Sequence, residues 1–256
     1  DVLDRRQRYR MLLDVSPLPT NYVPQGDLGG PRVYSSSPDD LTACRKSMRL
    51  AALSGMGAVD VDMTSCHTYV LLNKWGGRLP ILKAAVTRGS LWDMYRQHYE
   101  SHGLTFAKKA VKAMHYASVL GGGPNAFSEA IHRYNLDHPE APISDREEFV
   151  RVHKLSPIYK ELKGLLSYIQ REWDGKEITL PTGQTFKVKG FRRYKRRNGD
   201  VVKDQGNLLS VFASYLQSYE VLLMSHMILE TYHLYLPLLW QHDGITVIPW
   251  DKEDYL

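Results

Sequence analysis

The sequence predicts an α+β fold in which helices dominate and a small antiparallel sheet is made of strands that carry acidic residues. Amphipathic helical spacing marks 105–120 and 157–173, and 207–236 reads as a long, strongly apolar helix. Met56–Asp62 alternates apolar with small or acidic residues, as a strand does. Leu238–Val247 is an apolar run that meets His242-Asp243-Gly244 and then resumes, which reads as a hairpin with a carboxylate at its tip.

The elements follow in order. Residues 1–31 begin with Arg5, Arg6, Arg8 and Arg10 and continue rich in Pro and Gly, so they read as a short helix and an irregular arm. Arg32–Pro38 reads as a short strand entering a turn. Thr68–Trp75 reads as a helix that Gly76-Gly77 would close as a C-cap. Residues 91–100 form a helix with Trp92, Tyr95 and Tyr99 on one face, and 105–120 a second that stops at Gly121-Gly122-Gly123-Pro124. Lys176–Val188 turns at Pro181-Thr182-Gly183-Gln184 and reads as a hairpin. Phe191–Arg197 interleaves Phe191 and Tyr194 with Arg192, Arg193, Lys195, Arg196 and Arg197, which suits either a solvated loop or a single-stranded template. Asn198-Gly199 is a turn signal.

Bulk properties narrow the classes. A chain of 256 residues buries a core as one large domain or two small ones. The net charge of +5 mildly favours anionic partners. Cys44 and Cys66 supply neither a disulfide framework nor a zinc quartet, so a reducing, intracellular compartment is expected. No apolar run reaches the length of a membrane span, so no membrane partner is expected. His98, His102, His115, His132 and His138 lack zinc-ligand spacing and read as surface histidines.

Two acidic strand ends, Asp62 and Asp243, suit two-metal phosphoryl transfer. Mg²⁺ takes oxygen ligands and keeps several waters, so two carboxylates plus substrate phosphates suffice for a pair of ions. Asp60 shares a strand face with Asp62 and could serve in its place. Lys108, Lys112 and Tyr116 recur every fourth residue and share a helix face. The lysines would grip a triphosphate while Tyr116 stacks on the base; otherwise this is a basic surface helix with Tyr116 covering core.

These residues resemble a family. Asp62-Met63-Thr64-Ser65-Cys66-His67, Lys108-x3-Lys112-x3-Tyr116-x4-Gly121 and His242-Asp243-Gly244 are similar, in order and spacing, to motifs A, B and C of family A polymerases. That superfamily holds DNA polymerase I types and phage-type single-subunit RNA polymerases. Arg32–Leu41 resembles the stretch before motif A, the hairpin at 176–188 resembles one that follows in the family, and Gln217 stands where the family has a glutamine facing primer and template.

The resemblance implies a right-hand palm with helical fingers and no evident thumb. Residues 1–31 would be an N-terminal arm, 32–75 and 207–256 the two parts of the palm, and 76–206 the fingers. It implies DNA primer and template and nucleoside triphosphates as partners, and a thumb from another chain or from a segment beyond this sequence. Asp62 and Asp243 would ligate two Mg²⁺ with help from the Met63 carbonyl. Lys112 would neutralise the α- and β-phosphates, and Lys108 the γ-phosphate, where the family usually has arginine; lysine keeps the charge without the bidentate fork. Arg32 and His242 would meet the primer end, Gln217 the minor groove, and Arg193 and Arg196 the template.

Departures matter. Leu120 replaces the tyrosine before the motif B glycine, and Gly244 replaces an acidic residue or serine. His67 stands at the place of a glutamate that excludes the 2′-hydroxyl. Its bulk favours DNA synthesis over RNA synthesis, although Arg32-Val33-Tyr34 has the character of the RNA polymerases. The alternatives are a phage-type, split RNA polymerase and a non-catalytic nucleic-acid-binding subunit that kept the fold.

His67→Gly is expected to raise ribonucleotide incorporation relative to deoxynucleotide in parallel primer extensions. An unchanged ratio would remove His67 as the sugar gate.

Overall fold

The computed structural model describes residues 22–24, 33–35, 57–63, 65–195, 201–204, 206–231, 235–241 and 244–249. For Asp62 and for residues 22–24, 33–35, 192–195, 201–204, 228–231, 236–241 and 249 the description is of the backbone. The fold is α+β, mostly helical, with small antiparallel sheets. The chain divides into a unit of residues 1–66 and 217–256 and a helical unit of residues 67–216.

In the first unit, β1 (Tyr22–Pro24) pairs antiparallel with β2 (Val33–Ser35). A strand therefore lies within the segment expected to be an irregular arm; the helix expected at its start lies outside the described residues. β3 (Val59–Asp62), β9 (Gly244–Pro249) and β8 (Tyr235–Gln241) form a three-stranded sheet in the order β3-β9-β8. Val59 pairs with Val247 and Val61 with Ile245, while Asp60 pairs with Thr246 and Asp62 with Gly244. Directly paired residues share a face, so one face of the β3–β9 pair is apolar and the other acidic and polar. Ile245 and Val247 pack on Met224, with Met63, Met227 and Tyr235 around them.

The helical unit begins with α1 (Cys66–Trp75). Gly76-Gly77 does not form the expected left-handed cap. It runs on as a 3₁₀ turn, Gly76–Arg78, closed by the Leu79 N–H on the Gly76 carbonyl. Helices α2 (Pro80–Thr87), α3 (Leu91–Ser101), α4 (Lys108–Val119), α5 (Pro124–Asp137), α6 (Arg146–Leu155) and α7 (Pro157–Trp173) follow. α7 is the central helix: it buries Ile158, Tyr159, Leu162, Leu165, Leu166 and Ile169 and packs against α2, α4 and α6. Pro80, Pro124 and Pro157 each stand in the first turn of a helix, where a missing N–H costs nothing. α4 stops because Gly121 turns left-handed at φ +83°. A Cβ there would come 2.8 Å from a terminal methyl of Leu209, which would have to shift.

The hairpin β4 (Glu177–Thr179) with β5 (Thr185–Lys187) follows α7. β6 (Arg192–Lys195) and β7 (Val201–Asp204) form a second two-stranded ribbon. α8 (Leu208–Thr231) has its residues through Leu216 in the helical unit and those from Gln217 in the other. It ends at Thr231, not at 236 as the apolar run suggests, because Tyr235 onward pairs with β9. Trp75, Trp173, Phe212 and Tyr215 form an aromatic cluster with centroids 5.3–6.4 Å apart. Among the described residues no helix is long and apolar enough to cross a membrane.

α2 has no cap from its own sequence. Glu161 of α7 supplies one: its two carboxylate oxygens accept the N–H groups of Ile81 at 2.8 Å and Leu82 at 2.9 Å. The carboxylate satisfies two orphan donors and meets the positive end of the helix dipole. Glu161→Ala is expected to cost about 1–2 kcal/mol in urea unfolding, and Glu161→Gln less. An unchanged midpoint in the alanine variant would contradict this role.

Candidate functional site

The acidic face of the β3–β9 pair carries the candidate acidic residues of the first unit. Thr246 is fully buried, and its hydroxyl donates to Asp60 Oδ1 at 2.6 Å. This bond ties the Asp60 carboxylate to the neighbouring strand and holds the register that sets Asp62 opposite Gly244. Gly244 is buried and is the first residue of β9; Gln241, its partner across the hairpin, is the last of β8. Asp243 and His242, which lie between them in the sequence, fall outside the described residues, as do Arg32 and Arg196. Met63 follows Asp62 and packs its side chain against the Met224–Ile245–Val247 core. Gln217 is half-buried on the part of α8 that belongs to this unit.

The chain leaves β3 through Ser65, which has φ +56° and is the only non-glycine with positive φ among the described residues. Such a conformation is strained for a residue with a Cβ. It turns the strand into α1 within three residues, and His67 then sits half-buried in the first turn of that helix.

α4, in the helical unit, carries the candidate phosphate-binding residues. Lys108 and Lys112 are exposed and Tyr116 is half-buried, while Ala110, Val111, Met114, His115, Ser118 and Val119 are buried. The Lys112 ammonium lies 5.7 Å from the centroid of the Tyr116 ring, a cation–π distance. The three residues at fourfold spacing thus do share a face, as a cationic surface with an aromatic edge.

The buried side of α4 holds what the sequence reading misses. His115, expected at the surface, is fully buried. One ring nitrogen meets the Tyr95 hydroxyl at 3.1 Å and the other the Thr68 hydroxyl at 3.4 Å. The neighbouring His153 is also fully buried. The Ser118 hydroxyl donates to the Met114 carbonyl at 2.7 Å, so it can only accept from His153 Nε2, 3.4 Å away. Nδ1 is then the acceptor for the Tyr99 hydroxyl at 3.1 Å. Tyr95 stacks on His153 with the rings 5.6 Å apart and nearly parallel. Helical periodicity could have revealed His115, which lies four residues beyond Val111 and four before Val119. His98 is half-buried with a ring nitrogen 2.8 Å from the Val152 carbonyl, His138 is half-buried, and His102 and His132 are exposed.

Among the described residues, no three of His, Cys, Asp and Glu gather into a metal-holding group. The Asp62 side chain and Asp243 are not among them. Cys66 is buried. No protein-family model and no curated protein matches the chain.

Burial lowers the His115 pKa to about 4. Burial, with smaller contributions from the charges of His115, His98 and Lys154, lowers that of His153 to about 3. Both rings are neutral when folded, whereas the unfolded chain takes up protons near pH 6.5. Stability is therefore complete above about pH 6.5 and falls as the pH drops toward these folded values, by about 1.4 kcal/mol per pH unit for each ring. Urea unfolding at pH 5 is expected to give several kcal/mol less than at pH 7. Equal stabilities at the two pH values would contradict a neutral buried pair.

Proposed function

We propose that the chain is a template-directed nucleotidyltransferase of the family A polymerase kind, with DNA as its favoured product. The reaction joins a primer 3′-hydroxyl to a nucleoside triphosphate. The 3′-oxygen attacks the α-phosphorus in line, the bond to the β-phosphate oxygen breaks, and pyrophosphate leaves. The observation that carries the reading is the β3–β9 register. Gly244 is the direct partner of Asp62, and Asp243 is one peptide unit, about 3.8 Å between Cα atoms, before Gly244 in the sequence. A single-residue slip would move Asp62 to the opposite face, so the pairing that supports the reading is specific.

The residues fit hard cations. Asp62 and Asp243 offer carboxylate oxygens, and the Met63 carbonyl a third oxygen type, which is the donor set that Mg²⁺ accepts. When bound, two Mg²⁺ would stabilise the attacking and leaving oxygens. Asp60 is the weaker candidate because its carboxylate already takes the Thr246 hydroxyl. Lys112 would neutralise the α- and β-phosphates and hand a proton to the leaving pyrophosphate, and Lys108 would meet the γ-phosphate. Tyr116 would stack on the base and His67 would crowd out a 2′-hydroxyl. Arg32 and His242 would hold the primer end, Gln217 the minor groove, and Arg193 and Arg196 the template.

Primer extension on purified variants tests this. Asp243→Asn and Asp62→Asn are each expected to lose at least about 100-fold in rate while keeping wild-type unfolding curves. Asp60→Asn is expected to keep extension within about tenfold and to lose about 1 kcal/mol of stability as the hydrogen bond from Thr246 loses its charged acceptor. Full extension by folded Asp243→Asn would reject the proposal. Binding of primer–template without incorporation by the wild-type chain, with or without Mg²⁺, would favour a non-catalytic subunit.

A further inference from the structure

The positive charge of this protein is concentrated in one place. Residues 187–205 hold eight of the 33 Lys and Arg and two of the 28 Asp and Glu, so this stretch carries +6 and the rest of the chain sums to −1. The stretch is the β6–β7 ribbon with its flanks. Its register separates two kinds of cross-strand pair. Arg192 lies opposite Asp204 and Tyr194 opposite Val202. Arg193 lies opposite Lys203 and Lys195 opposite Val201. By alternation Arg193, Lys195 and Lys203 share the second face, with no acid among them. Like charges directly opposite destabilise a two-stranded ribbon unless an anion lies across them.

The root of the ribbon is fixed. Asp174, just after α7, accepts the Gly190 N–H at 2.7 Å. Asn207, just before α8, accepts the Lys189 N–H at 2.7 Å and donates to the Lys187 carbonyl at 3.0 Å. Gly206 is left-handed at φ +57°, and a Cβ on it would lie 2.0 Å from the Lys189 carbonyl oxygen, so the strands leave the root through a position only glycine can occupy. Phe191 stands at this root and is 41% exposed, although an aromatic ring is costly to leave in water. The sequence joining the strands adds Arg196 and Arg197.

We propose that the β6–β7 ribbon is a metal-independent binding element for single-stranded nucleic acid. Arg193, Lys195 and Lys203 take consecutive phosphates on one face, and Phe191 stacks on a base. The exposed ring argues for a single strand, because only unpaired bases present their faces for stacking. The inference rests on and deepens the template contact proposed for Arg193, and its test stands apart from nucleotidyl transfer: binding is expected in EDTA and in a chain whose Asp243 is replaced.

The test is fluorescence anisotropy with a labelled 20-nucleotide oligo-dT in EDTA, across a salt series, on the full chain. The wild type and Asp243→Asn are expected to bind alike. The triple variant Arg193→Gln/Lys195→Gln/Lys203→Gln is expected to bind at least about tenfold more weakly, with the slope of log K against log salt flattened by about 2. Phe191→Ala is expected to weaken binding about tenfold with the salt slope unchanged. A control that removes equal charge elsewhere, Lys83→Gln/Lys160→Gln/Lys163→Gln, is expected to change the slope much less; thermal melts confirm folding of each variant. An unchanged slope in the ribbon variant, or an equal loss in the control, overturns the proposal. So does tighter binding to a duplex of the same length or to anionic phospholipid vesicles than to the single strand. Loss of extension by Asp243→Asn with intact oligo-dT binding separates this element from the catalytic reading.

Discussion

The register of β3 against β9 is the constraint on which the proposed chemistry depends. Side chains alternate with a period of two, so one pairing decides four things together: Val59 and Val61 with the apolar face, Asp60 with Thr246, and Asp62 with Gly244. The pairing is held from both sides. Ile245 and Val247 are buried against Met224, while the hydroxyl of the buried Thr246 reaches the Asp60 carboxylate. A slipped strand would bring the acids toward the Met224 core and expose the valines further, and a buried unpaired carboxylate is costly. The fold thus uses one aspartate to lock the strand and leaves the next at the strand's end.

The helical unit is organised around polar groups that are buried and satisfied rather than around apolar packing alone. His115 ties α4 to α3 and α1 through Tyr95 and Thr68, and His153 ties α6 to α3 through Tyr99 and to α4 through Ser118. These bonds have fixed partners and geometry, so they set the rotation of α4 about its axis more tightly than aliphatic contacts would. That rotation turns Lys108, Lys112 and Tyr116 outward together. Burial keeps both imidazoles neutral.

Much of this was legible from residues alone. The α7 span, the β4–β5 hairpin, the strand ending at Asp62 and the glycine stop after α4 follow from periodicity and turn chemistry, which act locally. What escaped the reading depends on partners distant in sequence. α6 carries its own signal, Asp145 with Glu148 three residues on, whose N–H the Asp145 side chain accepts. α2 has only Pro80 at its start, and its cap comes from Glu161, about eighty residues away. The run after Thr231 is apolar enough for helix or strand, and pairing with β9 decided for strand. His115 was misread because a histidine on a lysine-bearing helix looks like part of its surface. The charge segregation of the β6–β7 ribbon requires the partner register, which composition does not contain.

The central claim is that residues 62 and 243 hold divalent cations jointly. Mn²⁺ titration followed by electron paramagnetic resonance, with a non-hydrolysable nucleoside triphosphate present, tests it most directly. The account predicts two bound ions for the wild type and at most one for each of Asp62→Asn and Asp243→Asn, with Asp60→Asn retaining both. Unchanged stoichiometry in both of the first two variants would contradict it.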